Sequence, residues 1–260
     1  MLFNSFEYLL FFPIVFALYW SINKYDLKWQ NLLLLVASYY FYSCWDWRFV
    51  FLLAFSTGLD YYSGIVIHEA NSERKRKLWL YLSVGINLGF LGFFKYYNFF
   101  IDSFADLLRQ FGLNPHYSTL QIILPVGISF YTFHGLSYVF DIYKRRIEPS
   151  YNWVNYSLFV SFFPLLVAGP IERATHLLPQ LEKKRIFNYN KAVDGMRQIL
   201  WGLFKKMVIA DNCAEVANEI FSNSADQSGF NLALGAVFFT FQIYGDFSGY
   251  SDIALGSARL

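Results

Sequence analysis

Apolar runs long enough to cross a bilayer recur along the whole chain. A spanning helix needs about 20 mostly apolar residues, and residues 2–20, 49–67, 78–97 and 122–140 come close to that length. Residues 31–44 are shorter, but Trp29 and Trp45 flank them as rings suited to the headgroup level. Residues 153–168, 196–210 and 229–244 add further segments, giving roughly seven or eight helical elements at membrane depth. The expected fold is all-α: a polytopic transmembrane helix bundle with bent or re-entrant segments, in one integral membrane domain over residues 1–260.

Composition agrees. The chain is 56% hydrophobic and 22% aromatic, with 15% charged residues, against about 25% in soluble domains. A net charge of +2, spread unevenly along the chain, argues against nucleic acid as a partner and leaves membrane lipid as the expected surroundings. Cys44 and Cys213 are too few for a disulfide framework and read as small packing residues. No basic residue precedes the first apolar run, so that run is expected to remain as a span rather than be cleaved.

Basic residues set an orientation, because cytoplasmic loops collect Lys and Arg. With the N-terminus outside, the inner loops hold Lys24, Lys28, Arg74-Lys-Arg-Lys77 and Lys144-Arg-Arg146, while Arg48, Lys95 and Arg109 lie at the outer side. After residue 153 that scheme strains, since Arg173, Lys183, Lys184 and Arg185 would fall outside. Pro164 and Gly169-Pro170 offer the resolution: a segment that bends and returns, with 170–195 lying along the cytoplasmic face. The longest outer connection, 100–119, is expected to hold a short helix over 101–111 and a turn at Asn114-Pro115.

No phosphate-binding loop, dinucleotide fingerprint or zinc-protease motif occurs, and the four histidines are scattered, so no metal site is expected. His134, inside an apolar segment, fits a hydrogen-bonded core imidazole, with Ser129, Thr132 and Ser137 as nearby partners. Asp141 should pair with the basic run that follows it. Asp60 either lines a cavity or bonds across helices. The strongest candidates close the chain, where an apolar run breaks into Tyr244-Gly-Asp-Phe-Ser-Gly-Tyr-Ser-Asp252. On a helix, Ser248 shares a face with Ser251 and Asp252, and Gln242 pairs with Asp246 one row over. Gln242, Asp246, Ser248, Ser251 and Asp252 are therefore expected to line a hydrated substrate channel; the plainer alternative is a membrane exit with Asp246 capping a new helix.

These residues also carry a resemblance. The segments are Met1-Leu-Phe-Asn-Ser-Phe-Glu-Tyr-Leu9, Leu124-Pro-Val-Gly-Ile-Ser-Phe-Tyr-Thr-Phe133 and Ser137-Tyr-Val-Phe-Asp-Ile-Tyr143. Ser161-Phe-Phe-Pro164, Ala168-Gly-Pro-Ile-Glu-Arg173, Pro179-Gln-Leu181 and Asp246-Phe-Ser-Gly-Tyr-Ser-Asp-Ile-Ala254 follow in order. Together they resemble the membrane-bound O-acyltransferase family, in its bacterial alginate O-acetyltransferase branch. The resemblance implies a helix bundle around a tunnel in the bacterial inner membrane. Across it an acetyl group passes from a cytoplasmic acyl thioester, acetyl-CoA or carrier-linked, to hydroxyls of an exported polysaccharide, with no bound cofactor. It also implies an acetyltransferase partner protein outside the cytoplasm.

The family's general base is a histidine in a Trp-Arg-x-Trp-His type segment beyond the Asp-Phe-Ser-Gly-Tyr-Ser-Asp motif. The sequence reaches Leu260 without one, so no catalytic residue is carried over. The chain is expected to be C-terminally incomplete and not to transfer acyl groups by itself. Two other readings use the same polar stripe differently: a transporter of a lipid-linked sugar or small solute, and an inactive truncated remnant.

Overall fold

The structure is a computed structural model that describes residues 1–111, 122–167 and 169–260. Among them every regular element is a helix. In chain order these are α1 (Phe6–Ser21), α2 (Leu27–Ser43), α3 (Arg48–Glu69), α4 (Glu73–Gln110), α5 (Ile128–Tyr143), α6 (Trp153–Ser161), α7 (Phe163–Leu166), α8 (Ala174–Leu181) and α9 (Tyr189–Phe204). A π-turn, Lys205–Ala210, leads from α9 into α10 (Asp211–Ser222), and α11 (Gly229–Arg259) follows. The turn expected at Asn114-Pro115 lies outside the described residues.

Two of these helices, α3 and α4, are long and apolar enough to cross a membrane. The most apolar window of α4 is only 17% buried within the protein. An apolar helix that leaves most of its surface uncovered is suited to lipid rather than water.

Several boundaries differ from the hydropathy pattern for local reasons. The segment read as 78–97 belongs to one 38-residue helix, and the separate helix expected over 101–111 is its last part. No Gly or Pro falls between Phe93 and Gln110 to end it, so polar residues such as Asp102 do not. Conversely, α5 starts six residues later than the apolar run, at Ile128. Pro125 precedes it, and Gly127 takes a left-handed φ of 75° that a side chain would oppose.

The bend expected around Pro164 is present as a break. Helix α6 stops at Ser161, Phe162 adopts ψ 110°, and α7 begins with Pro164 in its first turn. There the missing N–H of proline costs nothing. The freed N–H of Phe163 donates to Ser38 Oγ at 3.1 Å, so the non-helical backbone at the break is satisfied by a side chain of α2.

The chain divides into two compact units. One comprises residues 1–41, 162–170 and 183–260. Its aromatic cluster joins α1, α2 and α7: Phe11 meets Phe163 edge-on at 5.3 Å, and Phe41 meets Phe163 at 5.7 Å. The start of the chain is tied to α11 by a 2.9 Å hydrogen bond between the hydroxyls of Tyr8 and Ser257. Trp20 Nε1 donates to the Leu260 carbonyl at 2.9 Å.

The other unit comprises residues 42–161 and 171–182. Asp60 is 1% exposed and bonds across helices. Its Oδ1 accepts from Ser83 Oγ at 2.6 Å and from Asn87 Nδ2 at 2.8 Å, both on α4. Gly135 of α5 lies against the same carboxyl, so a Cβ there would fall on Asp60 Oδ2. At the helix ends, Arg76 donates to the carbonyls of Ile67 and Tyr143, a cation at two helix C-termini where the dipole favours it. Asp141 pairs with Arg146 at 3.3 Å, as its position beside the basic run implied.

Candidate functional site

Helices α9 and α11 run antiparallel, and glycine sets how close they come. Gly195 opposes Gly256 and Gly202 opposes Gly249. Both pairs are seven residues apart on their own helix, hence on one face. Such small-residue seams are how helices approach in lipid, where expulsion of water drives nothing.

The π-turn follows at once. Its widened backbone bonding is seen where Asp211 N–H donates to the Lys206 carbonyl, five residues back. Lys205 and Lys206 are adjacent and in a regular α-helix would project about 100° apart. Here both reach α11. Lys205 Nζ donates to Ser248 Oγ at 2.5 Å and pairs with Asp252 Oδ2. Asp252 Oδ1 also accepts from Gln198 Nε2 at 2.9 Å. Lys206 Nζ bridges Asp246 Oδ1 at 2.6 Å and Asp211 Oδ1 at 2.7 Å, and lies 5.8 Å from the Tyr250 ring centre.

The Lys205–Asp252 pair is well shielded, and the acids paired with Lys206 are more open. The side chains of Lys205 and Asp252 are 9% and 19% exposed, while Asp246 is 33% exposed. Removing a carboxylate from water costs several kcal/mol unless an opposite charge and hydrogen bonds compensate. Each of the two acids on α11 has both. Two lysines meet three aspartates, so the seam carries one net negative charge.

Three of the five candidate channel residues, Asp246, Ser248 and Asp252, are thus drawn into one charged seam. Ser248 and Asp252, four apart, share Lys205 as helical spacing implied. Asp246 caps nothing, because α11 runs unbroken to Arg259. Gln242 is half-buried, and its Oε1 has no partner among the described residues. Ser251 is half-buried and joins none of these pairs. The lysines, Asp211 and Gln198 are the members that motif reading missed. Their signal was present: two acids in an apolar helix need cations, and Lys205-Lys206 sits inside the apolar stretch 196–210.

Chemically the seam offers donors and acceptors rather than a reacting pair. Lys205 presents an ammonium and Ser248 keeps its own proton to donate, while the carboxylates accept. His134 belongs to α5 in the other unit and is fully buried. Its Nε2 accepts from the Glu172 backbone N–H at 3.0 Å, so its partner is the chain entering α8 and not the serines and threonine nearby in sequence. No His, Cys, Asp and Glu cluster among the described residues could hold a metal ion.

Comparison with known proteins adds an independent line. No family model matches the chain. It is 40% identical over 258 residues to the probable alginate O-acetylase AlgI of Pseudomonas putida, covering 98% of this chain and 52% of that protein. It is 33% identical over 274 residues to the peptidoglycan O-acetyltransferase of Helicobacter pylori, covering 95% and 51%. A more distant similarity, 23% over 150 residues, covers 55% of this chain and 36% of the teichoic acid D-alanyltransferase of Bacillus subtilis. The resemblance carried by the sequence motifs is borne out. The chain spans about half the length of the curated relatives it matches.

Proposed function

We propose that this chain is part of a membrane-bound O-acyltransferase. In the complete protein, an acetyl group would pass from a cytoplasmic thioester, acetyl-CoA or a carrier-linked acyl group, to hydroxyls of a polysaccharide being exported. Relatives named as O-acetylases and O-acetyltransferases along nearly the whole of this chain support that reading. The reaction needs a hydroxyl acceptor held beside a polarised carbonyl, in a site screened from bulk water.

The observation that carries the chain's own part in this is the seam of Lys205, Lys206, Asp246, Ser248 and Asp252. It concentrates partly buried donors and acceptors between α9, the π-turn and the otherwise largely apolar α11. Polar groups kept there at such cost are suited to a hydrated route for polar substrates. The setting proposed is a multi-pass protein of the bacterial inner membrane with its N-terminus outside. The break between α6 and α7 fits a re-entrant segment within that topology. An acetyltransferase partner outside the cytoplasm completes the scheme.

The test is acetyl-ester content of the exported polysaccharide in cells whose only O-acetylase is the complete gene product. Wild type should restore esters, and Ser248→Ala with Asp252→Asn should reduce them while the protein accumulates normally. Normal accumulation of the variant with unchanged ester content would remove the seam from the reaction.

A further inference from the structure

The first unit carries an apolar groove on the outer side of α2. Helix α1 ends at Ser21, the chain turns through 22–26, and α2 begins at Leu27. Gln30, itself 1% exposed, fixes that turn: its Nε2 donates to the Tyr19 carbonyl at 3.2 Å and to Asn23 Oδ1 at 3.3 Å. With the turn held from the inside, Ile22 and Tyr25 stand beside Trp29, Leu32, Leu33 and Val36 of α2. Those four α2 residues are spaced for one helical face and run along roughly 10 Å of helix. The six together line an open groove of about 610 Å³, within the range of sites that take a small ligand.

Positive charge is gathered at one end of the groove. Lys24 and Lys28 are both exposed. Lys24 Nζ lies 5.3 Å from the centre of the Tyr25 ring, and Lys28 Nζ lies 5.7 Å from that of Trp29. The rings that hold these ammonium groups by cation–π attraction are therefore the rings that line the groove. Asp26 pairs with Lys28 at 3.4 Å, both side chains being largely exposed. Lys24, Asp26 and Lys28 together leave one net positive charge at the rim.

Tyr25, Trp29 and Val36 are each more than half exposed, and a contiguous apolar patch of that kind marks a contact surface. In a membrane protein the ready neighbour of such a face is lipid, and the rim charge selects which lipid. Trp and Tyr rings sit at the headgroup level, and clustered lysines there draw anionic headgroups. A second copy of the chain fits less well. Two copies related by an axis along the membrane normal would bring the same lysine ends together at one depth, where like charges repel.

We propose that this groove binds an anionic phospholipid, with one acyl chain along Leu32, Leu33 and Val36 and the phosphate taken by Lys24 and Lys28. The two ammonium groups donate charge-assisted hydrogen bonds to phosphate oxygens. Tyr25 and Trp29, apolar in body and polar at one edge, join the headgroup end to the chain end. The site shares no residue with the lysine–aspartate seam and does not depend on that seam's role.

The test is photo-crosslinking of the complete protein in phosphatidylcholine vesicles that hold a trace of phosphatidylglycerol with a diazirine in its acyl chain, the crosslinked positions being read by mass spectrometry. Part of the phosphatidylcholine is then replaced by unlabelled phosphatidylglycerol at constant probe and constant total lipid. Labelling of residues 22–36 should fall several-fold, while that of Leu88, exposed on the apolar α4, stays unchanged. Lys24→Gln with Lys28→Gln should abolish that competition, and Lys24→Arg with Lys28→Arg should retain it. Both side chains are exposed, so neither variant disturbs a core. Groove labelling that ignores unlabelled phosphatidylglycerol, or competition that survives the Gln variant, would overturn the proposal. Crosslinks joining two copies through residues 22–36 in place of lipid would overturn it as well.

Discussion

Gly202 and Gly249 face each other across α9 and α11 so closely that neither can carry a side chain. A Cβ on Gly202 would lie 2.6 Å from the Gly249 carbonyl oxygen, and one on Gly249 would lie 2.8 Å from that of Gly202. The obstacle in each case is backbone, which cannot swing aside. Gly249→Val should therefore push the helices apart. Overpacking costs about 1–3 kcal/mol in an ordinary core, and a backbone obstacle puts this site at the upper end. Thermal unfolding in detergent should show a clear drop, larger than for Gly89→Val, where nothing lies within 4 Å of the added carbon.

The ion pair behind that seam predicts non-additive mutations. Lys205→Met leaves Asp252 buried without its cation, a loss of about 3–5 kcal/mol by analogy with other broken buried pairs. Adding Asp252→Leu removes the stranded charge, so the double variant should be more stable than Lys205→Met alone. A double-mutant cycle on unfolding temperature checks this. Additive losses would mean that the two groups do not interact.

Asp60 ties α3 to α4 through a single oxygen. Ser83→Ala and Asn87→Ala should each destabilise by about 1–3 kcal/mol, the loss expected when a buried acceptor forfeits a donor. Asp60→Asn, which keeps the shape, should be milder than Asp60→Leu. Melting curves of the four variants give the ranking.

The break at Phe162 rests on one hydroxyl. Ser38→Ala removes the acceptor for the Phe163 N–H and should cost about 1 kcal/mol, the worth of a helix cap. Hydrogen exchange at Phe163 should quicken, while exchange in the middle of α3 stays unchanged.

What the sequence revealed, and what it hid, follows from which interactions are local. Pro164 announced the break after Ser161, and Pro125 with Gly127 marks the start of α5, because proline and glycine act on their own backbone. The extent of α4 was hidden, since hydropathy falls after Tyr97 although nothing there breaks a helix. Helical spacing placed Ser248 and Asp252 on one face. Their partners were harder to see, because the π-turn that brings Lys205 and Lys206 together onto α11 has no apolar period of its own. The equal seven-residue spacings of Gly195 with Gly202 and of Gly249 with Gly256 were the legible trace of that pairing.

The account turns on whether the acids of α11 serve transfer or only hold α9 in place. The most direct measurement uses Asp246→Asn with Asp252→Asn in the complete gene product, isosteric changes that keep side-chain shape. Acetyl esters on the exported polysaccharide and the protein's melting temperature are read together. The account predicts ester content at least about tenfold lower, equivalent to roughly 1.4 kcal/mol of lost transition-state stabilisation, with the protein still folded in the membrane. A folded double variant that acetylates at the wild-type level would contradict it.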